Sequence, residues 1–317
     1  MKDSATSNKK ASMRTLEGRL AQLREVIRPA RPLRIVDVGA NPINTPSYVS
    51  LLQMGGAEIW GFEPDEGAFA ALMENRQEGT HYVQEAVGKP GKAVFYPHLR
   101  SGLGSLLKVD AEAVAFLGHP GWSANQGDGV EIDVVALDDL DDQTLPRPDV
   151  LKIDIQGGEM DVFQHGRTKL SDAVAIITEA RFARIYEGEA LWADIDIELR
   201  SQGFALHKLM FVKSNAVANS QRGKMHNPRL RNQMLDGDVV YIRDPLTLPQ
   251  WSDEQVKQLA IAAAGVFDSL DLTIWCMDEL VRRGLLPEAA PTEFFDKLPK
   301  WLRAKGKPDI AARPQTI

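Results

Sequence analysis

The segment Arg34 to Asn41, R-I-V-D-V-G-A-N, constrains this chain more than any other. A β-branched apolar run that breaks at Asp37 and Gly39 reads as a buried strand entering a tight turn, where a backbone without a side chain lets a ligand come close. A second apolar run follows in Glu58 to Asp65, E-I-W-G-F-E-P-D, and it stops at an acid, Glu63. Strand, glycine turn, helix, strand and terminal carboxylate make the first half of a nucleotide-binding α/β unit, in which the acid accepts hydrogen bonds from ribose hydroxyls.

At 317 residues the chain exceeds the usual size of one domain, which points to an α/β domain with appendages. Its net charge of -7 argues against a partner read through its phosphate backbone, so nucleic acid is excluded as the expected ligand. The single cysteine, Cys276, lies in an apolar stretch and suits a reducing compartment as a buried, inert thiol. The N-terminal residues M-K-D-S-A-T-S-N-K-K lack the apolar core of a signal peptide, and no segment approaches the roughly 20 apolar residues of a membrane span. A cytoplasmic protein is the expectation.

Three parts are expected: residues 1–30 as a polar N-terminus with an amphipathic helix from Ser12 to Ile27, residues 31–245 as the main domain, and residues 246–317 as a helical extension. Within the main domain, strand patterns at His81 to Val87, Lys92 to Tyr96, Val130 to Leu137, Val150 to Ile155 and Val174 to Thr178 alternate with helical ones. That alternation predicts a mainly parallel, doubly wound sheet. Phe204 to Val212 and Asp238 to Arg243 have no helix between them and predict an antiparallel hairpin at the sheet edge. The irregular stretch from His98 to Gly129, rich in Gly, Ser and His, is a candidate substrate lid. The helices beyond Ser252 carry little chemistry, so they read as packing material or as the contact of a homo-oligomer.

The turn at Gly39 lacks the G-x-G-x-x-G spacing that seats a pyrophosphate on a helix N-terminus. A ligand with a ribose and no phosphates, such as S-adenosylmethionine, fits it better. V-D-V-G-A-N, then G-F-E-P-D, then L-K-I-D-I-Q-G-G-E, then T-E-A, in this order, resemble the FkbM family of S-adenosylmethionine-dependent methyltransferases over about Leu33 to Asp244. The resemblance implies a class I methyltransferase fold, a seven-stranded, mainly parallel sheet with an antiparallel edge strand, and transfer to hydroxyl oxygens of sugars or natural products. It also implies that Asp37, Gly39 and Asn41 line the methionine end of the cofactor, that Glu63, followed by Pro64, takes the ribose, and that Glu85 and Ala86 lie near the adenine.

Methyl transfer to a hydroxyl is an in-line displacement helped by a positioned base or a metal. Asp154 is the first choice for that base, because ligands bind at the carboxyl ends of strands in open α/β sheets. Glu159 and Glu179 lie near the same edge, although an acid in the first turn of a helix is also favoured by the helix dipole alone. A divalent cation could sit among Asp154, Glu179 and His207, but their spacing matches no metal motif. Two departures from the family pattern stand out: Gln156 replaces a glutamate, and Pro42 stiffens the cofactor turn. The expected activity is O-methylation of a carbohydrate or a glycosylated small molecule. Its rivals are a non-catalytic methyltransferase-like interaction protein and, further off, a nicotinamide-dependent oxidoreductase.

Overall fold

The computed structural model describes residues 15–41, 45–99 and 101–303. The polar stretch before Thr15 and Pro42 lie outside the described residues. Helix α1 (Leu16–Ile27) starts where the Thr15 hydroxyl accepts from Gly18 N, and Leu20, Leu23 and Ile27 form its buried stripe. Then come β1 (Leu33–Val38), α2 (Val49–Gln53), β2 (Ala57–Phe62), α3 (Glu66–Glu74), β3 (Thr80–Val83), β4 (Ala86–Val87) and β5 (Gly91–Phe95). Helices α4 (Ala111–Phe116) and α5 (Gly121–Ala124) lie in the irregular stretch, ahead of β6 (Val130–Val135), β7 (Val150–Ile153), α6 (Glu159–Gln164), β8 (Ala175–Arg181) and α7 (Trp192–Ser201). The main domain ends with β9 (Phe204–Leu209), β10 (Lys213–Asn215) and β11 (Gln233–Arg243). Helices α8 (Asp253–Gly265), α9 (Leu270–Arg282), α10 (Ala290–Lys297) and α11 (Lys300–Arg303) follow.

The main sheet runs β3-β2-β1-β7-β8-β11, with β9 and β10 both pairing the far side of β11. The pairs from β3 through β8 are parallel, and β11 runs antiparallel to its neighbours. β9 pairs Val239 to Arg243 of β11 and β10 pairs Gln233 to Asp236, so the two form one interrupted outer strand.

The antiparallel hairpin that the sequence pattern predicts at the sheet edge is present as β9 and β11; its reversed strand, β11, is the inner one, inserted between β8 and the interrupted outer strand. The reason is compositional. Val239, Val240 and Tyr241 are buried in succession on both faces of β11, which suits an interior strand, whereas F-A-L-H-K-L in β9 mixes in polar residues that suit an edge. The expected strand from His81 to Val87 also divides. Its first half is β3 in the main sheet; its second half, β4, joins a small sheet of order β4-β6-β5.

Alternation along β1 sends Leu33 and Ile35 to one face and Val36 and Val38 to the other. The first face packs against α1, α2, α8 and α9 and the second against α6 and α7. α8 is buried over nearly its whole length, and its A-I-A-A-A-G run lets the backbone come close: a Cβ on Gly265 would stand 2.5 Å from Leu51 Cδ1. The C-terminal helices thus share one core with the sheet. No helix among the described residues is long and apolar enough to cross a membrane.

Candidate active site

The cofactor turn is built by backbone. After Val38 the chain turns at Gly39 (φ +83°), and the N–H groups of Gly39 and Ala40 both donate to the Phe62 carbonyl at 3.0 and 3.1 Å. A Cβ on Gly39 would lie 2.2 Å from the Asp154 carbonyl oxygen. The glycine is thus required by the loop after β7, which is also tied down by Asp154 N donating to Val38 O at 3.1 Å. The sequence pointed instead to ligand access.

Asp37 is buried, and each of its oxygens is taken: Oδ2 accepts from the Tyr48 hydroxyl at 2.5 Å and Oδ1 from Lys152 Nζ at 2.8 Å. Burial and the Asp37 charge push the Tyr48 hydroxyl far above its ordinary value. Burial works against the Lys152 ammonium, but Asp37 and Asp154 outweigh it and hold its pKa raised. Asp37 anchors the turn from below, between β1, β7 and the residue preceding α2. Lys152→Met would leave that carboxylate buried with a hydroxyl as its one partner, and the expected loss is about 3 kcal/mol of stability in urea unfolding.

Asn41 is half-buried at the end of the described turn. Glu63 is buried where β2 ends; its Oε1 accepts from Asp65 N at 2.9 Å, and Asp65 then caps α3 through Ala68 N at 2.8 Å. Oε2 takes no hydrogen bond among the described residues, which leaves it available to ribose hydroxyls. Burial raises the Glu63 pKa, and the Asp65 amide works the other way. Glu63 N donates to Val83 O at 3.2 Å, so the neighbouring strand ends beside it. Pro64 and Glu85 are half-buried there, Glu85 in the link between the two sheets, and Ala86 is buried opposite Val134. A turn laced by backbone amides with an uncommitted carboxylate oxygen one strand away fits a ribose-bearing cofactor.

Asp154, Glu159 and Glu179 come together, with one oxygen of each within 4.8 Å of the others. Between the first and last of them sits Gln156, in a left-handed conformation (φ +61°) that costs a non-glycine residue about 1 kcal/mol or more. Gln156 Nε2 donates to Asp154 Oδ1 at 2.7 Å and to Glu179 Oε2 at 2.8 Å. Its Oε1 accepts from Arg181 Nη2 at 2.7 Å and from the Tyr186 hydroxyl at 3.1 Å, and its backbone carbonyl from Ser105 Oγ at 2.6 Å. Two donors on one side and two acceptors on the other fix which way the amide points.

The three acids differ in situation. Glu159 is buried and both its oxygens are occupied, by Ile155 N at 3.0 Å and Gly157 N at 2.9 Å. It clamps the loop that carries Gln156, and burial lifts its pKa to about 7. Glu179 is buried beside Arg181, whose Nη2 lies 2.7 Å away; burial holds its pKa well above the usual carboxylate range, with Arg181 opposing and Asp154 and Asp236 adding to the rise. Arg181 also pairs with Asp236 at 3.0 Å, and Lys213 reaches Asp236 at 3.0 Å. Asp154 is the exposed member. His207 does not join them: its Nε2 meets Ser269 Oγ at 2.8 Å and its ring meets Phe267 edge-on, at the C-terminal helices. The trio Asp154, Glu179 and His207 is thus separated, because side chains on β9 meet the helical layer.

A cavity of about 560 Å³ opens on Gln156 and Glu179, and Gly39 and Glu63 do not line it. The stretch from His98 to Gly129 contributes Gly102, Leu103, His119 and Trp122 to its wall, with the His119 ring stacked on the Trp122 indole at 4.2 Å. The segment around β10 contributes Lys213, Ser214, Asn215 and Arg231. Trp122 lies in the stretch read as a candidate lid, but neither it nor Lys213 nor Arg231 stood out as a site residue; the Lys- and Arg-rich stretch from Lys213 to Asn232 was the available signal.

A parallel sheet of this order with one inserted antiparallel strand, a glycine turn after β1 and an acid after β2 define a class I, Rossmann-like methyltransferase that uses S-adenosyl-L-methionine. The model of the methyltransferase FkbM domain matches residues 37–206, and the chain belongs to that family. No curated protein matches the sequence. Among solved structures, the putative tRNA (m1A22) methyltransferase Sp1610 of Streptococcus pneumoniae is 15% identical, over 87% of this chain and 95% of that one, with a TM-score of 0.33. The same protein in complex with S-adenosyl-L-methionine is 12% identical over 88% and 94%, with a TM-score of 0.35. Precorrin-6y C5,15-methyltransferase of Geobacter metallireducens GS-15 is 12% identical over 75% and 95%, with a TM-score of 0.34. These likenesses are remote; sheet order and the family match carry the assignment.

Proposed function

We propose that this methyltransferase acts on a hydroxyl oxygen of a carbohydrate or a glycosylated small molecule, with Asp154 as the base. The observation that carries the reading is the place of Asp154. Its carbonyl abuts Gly39 in the cofactor turn, while its carboxylate is joined through Gln156 to Glu179, which lines the cavity. Asp154, which does not itself line the cavity, is thereby linked both to the cofactor turn and to the cavity wall.

When bound, S-adenosyl-L-methionine supplies a methyl group on a positively charged sulfur. Glu63 would accept from its ribose hydroxyls, the Gly39 to Asn41 turn would hold the methionine end, and Glu85 and Ala86 would border the adenine. Asp154 receives the proton of the acceptor hydroxyl, which is a poor nucleophile until that proton is leaving. The Gln156 amide, itself held by Glu179, Arg181 and Tyr186, keeps Asp154 oriented. The Trp122 indole, with Ser214 also in the wall, offers a face for a sugar ring and a partner for its hydroxyls.

The test is transfer of a labelled methyl group to a panel of saccharides, with mass spectrometry for a gain of one methylene and alkali treatment to tell an ether from an ester. A labelled product that alkali cleaves would contradict O-methylation of a hydroxyl. Glu63→Gln is expected to weaken S-adenosylhomocysteine by about 1.5–3 kcal/mol, roughly 10- to 100-fold in a calorimetric titration. An unchanged dissociation constant would remove Glu63 from the ribose site.

A further inference from the structure

We infer that the acceptor carries an oxyanion, a phosphate or a carboxylate, which Arg231 holds at the cavity mouth while the neutral hydroxyl end faces Asp154. The inference rests on reading this cavity as the acceptor site. From Lys213 to Asn232 the chain has five Lys and Arg residues and no Asp or Glu, although the whole chain is acidic at -7. Most of these cations are accounted for or lie outside the cavity. Lys213 pairs with Asp236 at 3.0 Å. Arg222 is structural: it donates to the carbonyls of Gly118 at 2.6 Å and Ala216 at 3.0 Å and to Asn215 Oδ1 at 3.1 Å. Lys224 and Arg229 do not line the cavity.

Arg231 differs from all of them. It lines the cavity, it is exposed, and its side chain makes no hydrogen bond or ion pair among the described residues. The segment that carries it is also built. Arg222 staples the loop to Gly118, and Asn227 Oδ1 caps the short turn Pro228–Leu230 by accepting from Arg229 N at 2.9 Å. The guanidinium is therefore presented from a fixed turn.

The cavity has two poles. At the inner end the two cations of the wall, Arg181 and Lys213, are already paired with the carboxylates of Glu179 and Asp236, so an anion meets no uncommitted cation there. Arg231 forms a basic mouth whose fork matches a phosphate or carboxylate through two parallel hydrogen bonds. An acceptor with one anionic end and one neutral, hydroxyl-bearing end is thereby oriented in a single sense, hydroxyl inward. A wholly neutral saccharide would leave the Arg231 fork without a partner.

The test uses the full chain saturated with S-adenosylhomocysteine, titrated calorimetrically with glucose 1-phosphate, glucuronate and glucose. At least one anionic sugar is expected to bind about tenfold or more tightly than glucose, with a preference that shrinks as salt rises. Arg231→Gln is expected to abolish the preference, and Arg229→Gln, on the same turn but off the cavity, to keep it. A phosphate-only preference assigns a phosphate ester, and a preference for both assigns an oxyanion in general. Anionic sugars that bind no better than glucose, absence of binding included, overturn the inference. So does an equal loss in both variants, or an RNA oligonucleotide that outcompetes both sugars, since the loop would then be a diffuse basic surface. The prior S-adenosylhomocysteine titration separates the two readings: cofactor binding without anion binding fails this inference alone, and anion binding without cofactor binding fails the methyltransferase site.

Discussion

Asp154→Asn is expected to bind S-adenosylhomocysteine as the wild type does and to transfer methyl groups about 10³-fold more slowly, within the range that a positioned base contributes. The substitution is close to isosteric. The amide oxygen it introduces can still accept from Gln156 Nε2, so the bridge to Glu179 persists. The backbone carbonyl that packs on Gly39 is untouched, so the cofactor turn keeps its support. What is lost is a carboxylate able to take a proton from the acceptor. Rates measured under single-turnover conditions, with cofactor affinity measured on the same preparation, separate the two effects. A variant that turns over normally would move the base elsewhere, with Glu179 next because it lines the cavity. A wild type that binds the cofactor and methylates no acceptor would favour the interaction-protein reading. Gly39→Val is unsuited to this purpose: a side chain there strikes the Asp154 carbonyl and disturbs the fold before it reports on any ligand.

That contact also shows where reading the sequence stops. The strand at Arg34, the acid at Glu63 and the acids at Asp154, Glu159 and Glu179 were legible because each depends on local pattern: an apolar run, its break, and a polar residue at the carboxyl end. The partners were not legible, because they lie far away along the chain. Asp37 meets Lys152 across adjacent strands, and Gly39 meets Asp154 just past the carboxyl ends of the same two. Neither pairing has a local sequence signal. The interior place of β11 was available in D-V-V-Y-I, a run apolar on both faces, but the lack of a helix between β9 and β11 indicates only that the two pair, not which of them is outermost. The C-terminal helices read as packing or oligomer contacts because they carry little chemistry, and the closeness of α8 to the core was not legible: its small residues are what let it lie against Leu51 and Leu20. His207 was grouped with the acids by chemistry alone, and topology sent it to the opposite layer.

Gln156 is where chemistry and fold are most tightly coupled, and Gln156→Glu is the variant that exposes the coupling. Glutamate keeps the length, the left-handed backbone and the oxygen that Arg181 and Tyr186 address. It replaces the donating nitrogen with a second oxygen, 2.7 Å from Asp154 Oδ1 and 2.8 Å from Glu179 Oε2. Two hydrogen bonds become two contacts between like charges, at a half-buried position beside a buried carboxyl. The expected cost at pH 8 is about 2 kcal/mol, a fall in Tm of roughly 4–8 °C. The sign of its pH dependence follows from proton binding. Crowded carboxyls have raised pKa values in the folded state, so between the ordinary glutamate value of about 4.3 and those raised values the folded chain binds more protons than the unfolded one. Stability then falls as pH rises, and the deficit against wild type is expected to be smallest near pH 5 and to grow toward pH 8. Manganese at millimolar concentration is expected to recover part of the loss at pH 8, since three carboxylates around one point form a cation site that an amide N–H denies. A variant that melts like the wild type at pH 8 would mean that the Gln156 amide does not separate Asp154 from Glu179. The substituted glutamine is then best understood as a neutral spacer: it holds two acids at hydrogen-bonding distance from one nitrogen, and it leaves the outer one, Asp154, exposed, as the proposed base requires.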